Sequence, residues 1–193
     1  MKIDGILAIE RGPRRTAALA AWFQGLYPKD ADKPVLVGGA VELYTRGAYR
    51  TGDLDFVGDV PPAVQRALID AGFRRRGRHW VHEKGELFIE LPSRSFDARV
   101  RLDLIQLDEW KVIALSPEDI LVDRLAAWKF WNVVPDGVNA FLLWRDRGQD
   151  LDVDHLERRA AEEGVEDALQ SLREASLGNP TIEEMERWAH RSR

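Results

Sequence analysis

Residues 35–57 read VLVGGAVELYTRGAYRTGDLDFV. Lys33-Pro34 opens a short apolar run, Val35-Leu36-Val37, which Gly38-Gly39 closes. This predicts a buried strand followed by a glycine turn. A helix is expected to start over residues 40–44. Asp53-Leu54-Asp55-Phe56-Val57 alternates acidic and apolar residues, which is the pattern of a half-buried strand. On a strand, residues i and i+2 point to the same face, so Asp53 and Asp55 set two carboxylates side by side. Like charges so placed repel and call for a cation or a cationic partner. Glycines after a strand let backbone N–H groups approach a phosphate, and a helix start adds a favourable dipole. Hard carboxylate oxygens beside such a cradle suit Mg²⁺. Two ions held there would stabilise both the attacking and the leaving oxygen in phosphoryl or nucleotidyl transfer. Taken singly, an Asp-x-Asp is usually a solvated strand edge and a Gly-Gly is usually a turn. Their order, each attached to an apolar strand, points to chemistry.

Outward from this stretch, the first half carries short apolar runs punctuated by glycine and proline. Residues 14–26 predict a helix stopped by Pro28, and Pro61-Pro62 begins another that Gly72 closes. Strands are expected over residues 79–82, 86–91, 100–107 and 112–115. Ser116-Pro117-Glu118-Asp119 is a helix start: serine caps, proline suits the first turn, and the acids complement the dipole. Helices then follow over residues 137–147, 153–163, 165–174 and 182–190. The reading is an α/β core over residues 1–115 and a helical C-terminal region, residues 116–193, packed on it.

The chain has 193 residues, 45% hydrophobic and 32% charged, within the range of ordinary globular proteins. There is no cysteine, so disulfides, thiolate metal sites and cysteine nucleophiles are excluded. A net charge of −5 argues against wholesale coating of nucleic acid but leaves room for a local basic patch. No apolar run approaches a membrane span and no leader peptide is evident, so a cytoplasmic protein without a membrane partner is expected. No Walker lysine follows the glycines and no dinucleotide fingerprint is present, which disfavours kinase and dehydrogenase readings.

Gly38-Gly39, followed by Arg50-Thr51-Gly52-Asp53-Leu54-Asp55-Phe56, resembles the motif of the nucleotidyltransferase superfamily of the DNA polymerase β type. The Gly-Gly form, Thr51 two residues before the first aspartate, and Ser116-Pro117-Glu118-Asp119 leading into Arg124-Leu125 resemble its AbiEii-type branch, alongside uncharacterised bacterial families. The resemblance covers residues 34–131. It implies a mixed β-sheet flanked by helices, Mg²⁺ (two ions), and a nucleoside triphosphate as donor. Asp53 and Asp55 would be metal ligands, and Gly38, Gly39, Arg50, Thr51 and Arg124 would contact the nucleotide. The sequence departs from the commoner pattern in two places. Gly39 stands where a serine often follows the first glycine, so Gly39 and Ala40 offer only backbone donors, and Tyr49 stands where an arginine is frequent.

Active members of that superfamily use a third acid on a following strand. Glu90 and Asp103 are the candidates. Alternation puts Glu90 on a face with Phe88, where a half-buried carboxylate needs a partner or a metal. Asp103 shares its side with Arg101, and an exposed ion pair explains it. Glu90 is preferred as catalytic and metal-binding residue, with a salt bridge to an arginine as the structural alternative. Arg74, Arg75, Arg76 and Arg78 form a basic run that either lines a phosphate or RNA path or is solvated surface. Arg124 either reaches phosphate or pairs with nearby acids, and Lys129 is a weaker candidate of the same type. His79 and His82 differ in parity and should face opposite ways. His155 and His190 read as surface residues, and Trp128, Trp131 and Trp144 as core or as the seam between sheet and helices.

The expectation is therefore a Mg²⁺-dependent nucleotidyltransferase moving a nucleoside monophosphate onto a hydroxyl of tRNA, protein or a small molecule. The branch resemblance adds a possible toxin–antitoxin setting with a cognate partner protein. The alternative is a catalytically silent binding module of the same fold, acting as an antitoxin-like partner.

Overall fold

In the computed structural model, residues 2–49, 53–95, 97–178 and 180–191 are described, without the side chain of residue 191. The chain divides into two compact units, Met1–Leu115 and Ser116–Arg193.

The first unit is a mixed α/β structure. Its helices are α1 (Ile3–Leu7), α2 (Pro13–Gly25), α3 (Ala40–Tyr44) and α4 (Pro62–Asp70). Its strands are β1 (Val35–Leu36), β2 (Asp53–Val57), β3 (Arg74–Arg76), β4 (His79–His82), β5 (Leu87–Ser93), β6 (Leu102–Leu107) and β7 (Trp110–Leu115). They form one sheet in the order β3-β4-β5-β2-β1-β7-β6. The β2–β5 and β1–β7 pairs are parallel and the others antiparallel.

Alternation in β2 sorts the two faces of this sheet. Leu54 and Phe56 are buried, and Phe56 meets Phe23 of α2 with ring centroids 4.8 Å apart. Asp53 and Asp55 therefore take the opposite face. Gln24, the buried polar residue of α2, ties the helix to the sheet edge-on. Its Nε2 donates to the carbonyls of Pro34 (2.8 Å) and Ile113 (2.7 Å), and its Oε1 accepts from Ile113 N–H (3.0 Å). Gly12 precedes α2 at φ 145°, a conformation open to glycine and closed to most residues.

One strand was not expected. The basic run lacks the alternation that marks a strand, yet Arg74, Arg75 and Arg76 pair antiparallel with Val81, Trp80 and His79. Pairing supplied by β4 decides it, and the three arginines stay exposed on the edge strand, which is how edges resist further strand addition.

The second unit is helical: α5 (Pro117–Trp131), α6 (Val134–Arg147), α7 (Val153–Glu163), α8 (Glu166–Ala175) and α9 (Ile182–Arg191). Ser116 caps α5 as anticipated, accepting from Asp119 N–H at 3.2 Å. Asn132 ends it in the left-handed region at φ 54°. Asp119 does more than complement the dipole. It is buried and accepts from Ser116 Oγ (2.9 Å) and Arg159 Nε (2.9 Å), with His155 Nε2 also at 2.9 Å. Arg159 answers in turn to Glu162 and Glu163.

His155 is thus 1% exposed in its side chain, and the surface reading of it is corrected. Position i,i+4 to Arg159 on α7 turns both toward the same buried carboxylate. Trp131, expected in the core or at the seam, is the last residue of α5 and is 71% exposed. Trp128 is buried, and Trp144 is half-buried. His190 is exposed as expected. Among the described residues, no helix is long and apolar enough to cross a membrane.

Candidate functional site

Register builds the site. Asp55 lies opposite Glu90 across the parallel β2–β5 pair, and Glu90 lies opposite His79 across β5–β4. His79 in turn lies opposite Arg76 on β3. Residues in register share a face, so Asp55, Glu90, His79 and Arg76 form a row across four strands. A second row, Asp53, Phe88, Val81 and Arg74, runs beside it on the same face. Neighbouring strands are about 4.8 Å apart, so Asp55 and Glu90 occupy matching positions on adjacent strands. The face is open here: Asp53 is exposed, Asp55 half-buried, and Phe88 partly exposed.

Glu90 does not stand alone. Its side chain is 14% exposed and forms an ion pair with Arg78, and its Oε2 lies 3.4 Å from His79 Nδ1. The salt bridge weighed as the alternative for Glu90 is present, and Glu90 also shares the face of Asp53 and Asp55. Asp103 does not. Its register runs through Ala114 and Leu36 to Phe56, the face opposite Asp55. There its Oδ2 accepts from Tyr44 Oη at 3.0 Å and its Oδ1 from Leu104 N–H at 2.7 Å.

Gly38 has a role that the sequence does not reveal. A Cβ built on it would lie 2.8 Å from Asp55 Cγ and 3.0 Å from Asp55 Cβ. The Asp55 side chain occupies the space that any other residue at 38 would fill, and Val37 N–H donates to the Asp55 carbonyl at 2.8 Å. The glycine turn and the carboxylate strand are therefore one packed unit. Gly39 has φ −71° and ψ −8°, an ordinary helical conformation. The helix it opens, α3, has five residues, so its dipole is short. The turn lends a close approach to Asp55 rather than a strong helix-end field.

Arg50 and Thr51 lie outside the described residues. Arg124 Nη1 donates to Asp136 at 2.6 Å and Nη2 lies 3.5 Å from Asp123, the pairing alternative weighed for it. Lys129 Nζ reaches the Gly164 carbonyl at 2.7 Å and Asp167. His79 and His82 do face opposite ways, and His82 is buried, accepting from Gly85 N–H at 3.1 Å.

At the start of β2, a cavity of about 320 Å³ opens between the first turns of α2, α3 and the beginning of β5. Asp53 lines it together with Arg11, Arg15, Thr16, Glu42 and Glu86. Glu42 is buried and accepts from Thr16 Oγ1 at 2.9 Å. None of these except Asp53 carries a sequence signal. Residues 11–16 and 86 are brought together by helix placement alone.

Asp53 and Asp55 are suited to a hard cation that keeps several waters, being carboxylates of one strand face beside an open surface. Glu90 is paired with Arg78. Among the described residues no group of three His, Asp or Glu could hold a metal ion. Comparison with protein-family models, with curated proteins and with solved structures found no match to this chain.

Proposed function

We propose that the protein is a Mg²⁺-dependent nucleotidyltransferase. One observation carries this reading: Asp53, Asp55 and Glu90 stand together on one open sheet face, with Gly38 packed against Asp55. Asp53 and Asp55 would hold the cation, which supplies charge neutralisation at the donor triphosphate and at the leaving oxygen. The acceptor is a hydroxyl of tRNA, a protein or a small molecule. Its oxygen forms a bond to the α-phosphorus, the bond from that phosphorus to the bridging oxygen breaks, and pyrophosphate leaves. The hydroxyl proton passes to a base on the same face. Glu90, oriented by Arg78 and adjacent to His79, is the carboxylate placed to take it or to relay it. Arg74 and Arg76 on this face favour an acceptor that carries negative charge.

A second reading rests on the Glu90–Arg78 pair. A carboxylate neutralised by arginine is a structural contact, and the chain would then be a nucleotidyltransferase-like binding module without turnover, an antitoxin-like partner of a cognate protein. One experiment decides. The purified chain is incubated with Mg²⁺ and each α-labelled nucleoside triphosphate, with tRNA, cell protein or candidate small molecules. An Asp53→Asn/Asp55→Asn variant runs in parallel. Transfer by the native chain and not by the variant supports the enzyme. Absence of transfer together with absence of Mg²⁺-dependent nucleotide binding refutes it and leaves the binding module.

A further inference from the structure

The two edges of the sheet differ. The strand order leaves β3 and β6 with one neighbour each. β3 exposes Arg74, Arg75 and Arg76, charges that oppose a further strand. β6 reads Leu102-Asp103-Leu104-Ile105-Gln106-Leu107, with no proline, lysine or arginine. Leu102 is 54% exposed and Leu104 56%, and alternation puts them on one face. Among the described residues, no strand pairs with the outer side of β6.

The hairpin fixes which backbone groups of β6 point outward. Leu107 lies opposite Trp110 across the turn Asp108-Glu109, with Asp108 at φ 51°. Residues that close a two-residue turn exchange both backbone bonds, and bonded pairs then recur at every second residue. Leu107, Ile105 and Asp103 therefore bond to β7, while the N–H and C=O of Leu102, Leu104 and Gln106 point away from it. Leu104 N–H accordingly donates to Oδ1 of its own neighbour, Asp103, at 2.7 Å. That carboxylate fills a place where the carbonyl of another strand would fit.

This edge is complementary to itself. A twofold axis through Leu104 sets two β6 strands antiparallel, with Leu104 opposite Leu104 and Leu102 opposite Gln106. Those are the residues whose backbone groups point outward, and the exposed leucines of both copies form one apolar stripe along the seam. The chain entering β6 carries Arg99 and Arg101, and the turn leaving it carries Asp108 and Glu109. Antiparallel copies put these opposite charges together at both ends of the seam, with Arg99 facing Glu109, whereas parallel copies would put like charges together. Within one chain Arg99 pairs with Asp97, and Asp108 with Arg14. Exposed pairs of this kind contribute little and can exchange partners. Other registers fit less well: a shift one way sets Asp103 against Asp103, and a shift the other way sets Leu102 against the turn.

We propose that β6 is a self-association edge, joining two copies of this chain through an antiparallel β6–β6 pair into one continuous sheet. A patch that binds its own copy closes at two subunits. The inference rests on the unguarded edge, its exposed leucines and its charge arrangement, and not on the nucleotidyltransferase reading.

The test is sedimentation velocity of the full chain over a series of concentrations. The native chain should pass from monomer to dimer. Leu104→Lys sets two ammonium groups across the axis and should raise the dimer dissociation constant at least tenfold without lowering the melting temperature, since the side chain is exposed. The chain has no cysteine, so an introduced thiol oxidises only against a second copy. Bonded antiparallel partners have Cα atoms about 5.5 Å apart, within the span of a disulfide. With copper phenanthroline as oxidant, Leu104→Cys should cross-link much faster than Arg75→Cys on the guarded edge. In the native chain, dilution should speed hydrogen exchange at the amides of Leu102, Leu104 and Gln106, a readout that needs no variant. A monomer at every concentration overturns the proposal and leaves the edge to a strand of another protein. A dimer that Leu104→Lys leaves intact, equal cross-linking of the two cysteine variants, or edge amides indifferent to dilution overturns it as well.

Discussion

Replacing Gly38 by alanine should strike the stability of the first unit and the carboxylate of Asp55 together. Gly38 is not held at a positive φ, so the cost comes from space and not from backbone conformation. The new Cβ would sit 2.8 Å from Asp55 Cγ and 3.0 Å from its Cβ. Against an ordinary carbon separation of about 3.5–4.0 Å, the closer contact is short by about 0.7–1.2 Å. Val37 N–H anchors the Asp55 backbone, so relief must come from the side chain or from the turn. Overpacking of this kind costs about 1–3 kcal/mol. For a chain of this length each kcal/mol lowers the melting temperature by about 2–4 °C, so a drop of about 4–8 °C is expected at the middle of the range. The assay is a double-mutant cycle by thermal or urea unfolding with Gly38→Ala, Asp55→Ala and the pair. Asp55→Ala removes Cγ and the oxygens but keeps the Cβ, so rescue should be substantial and incomplete, with a coupling of about 1 kcal/mol or more. Additive losses, or a Gly38→Ala protein as stable as the native one, would refute the packed unit of turn and strand.

Two further outcomes follow from buried polar groups. Gln24→Leu leaves the carbonyls of Pro34 and Ile113 and the N–H of Ile113 without their partner, and should cost about 2–4 kcal/mol in urea unfolding; a loss below about 0.5 kcal/mol would mean that these groups find other partners. Arg159→Met takes the guanidinium from a carboxylate whose side chain is 1% exposed, and should cost about 3–5 kcal/mol, checked by unfolding followed through the tryptophans of the second unit.

Local signals were legible wherever the physics is local. The Ser116 cap depends on a side chain and an N–H three residues away, and it stands as read. The alternation of Asp53-Leu54-Asp55-Phe56 sets which residues share a face, and β2 has those bounds. The same parity separated His79 from His82. Misreadings arose where a neighbour supplies what the segment lacks. The arginine run becomes β3 because β4 offers it backbone partners. His155 sits among charged residues on α7 and reads as surface, yet Asp119 of α5 draws it inside.

Periodicity fixes the side to which a residue points, because backbone geometry repeats every two or 3.6 residues regardless of the rest of the chain. It therefore determined by itself that Asp53 and Asp55 form a pair and that an α/β segment precedes a helical one, while the choice of Glu90 and Asp103 as the acids to weigh came from the family resemblance. It contains nothing about which strand lies beside which. That is settled by long-range hydrogen bonding and by burial of Leu54 and Phe56 under α2. Only the tertiary structure placed β5 against β2 and so set Glu90 beside Asp55, while Asp103 went to the other face. The same packing seated Gly38 on Asp55 and brought Arg11 and Arg15 to the cavity beside Asp53. Those contacts join residues far apart in the chain, where no spacing rule reaches.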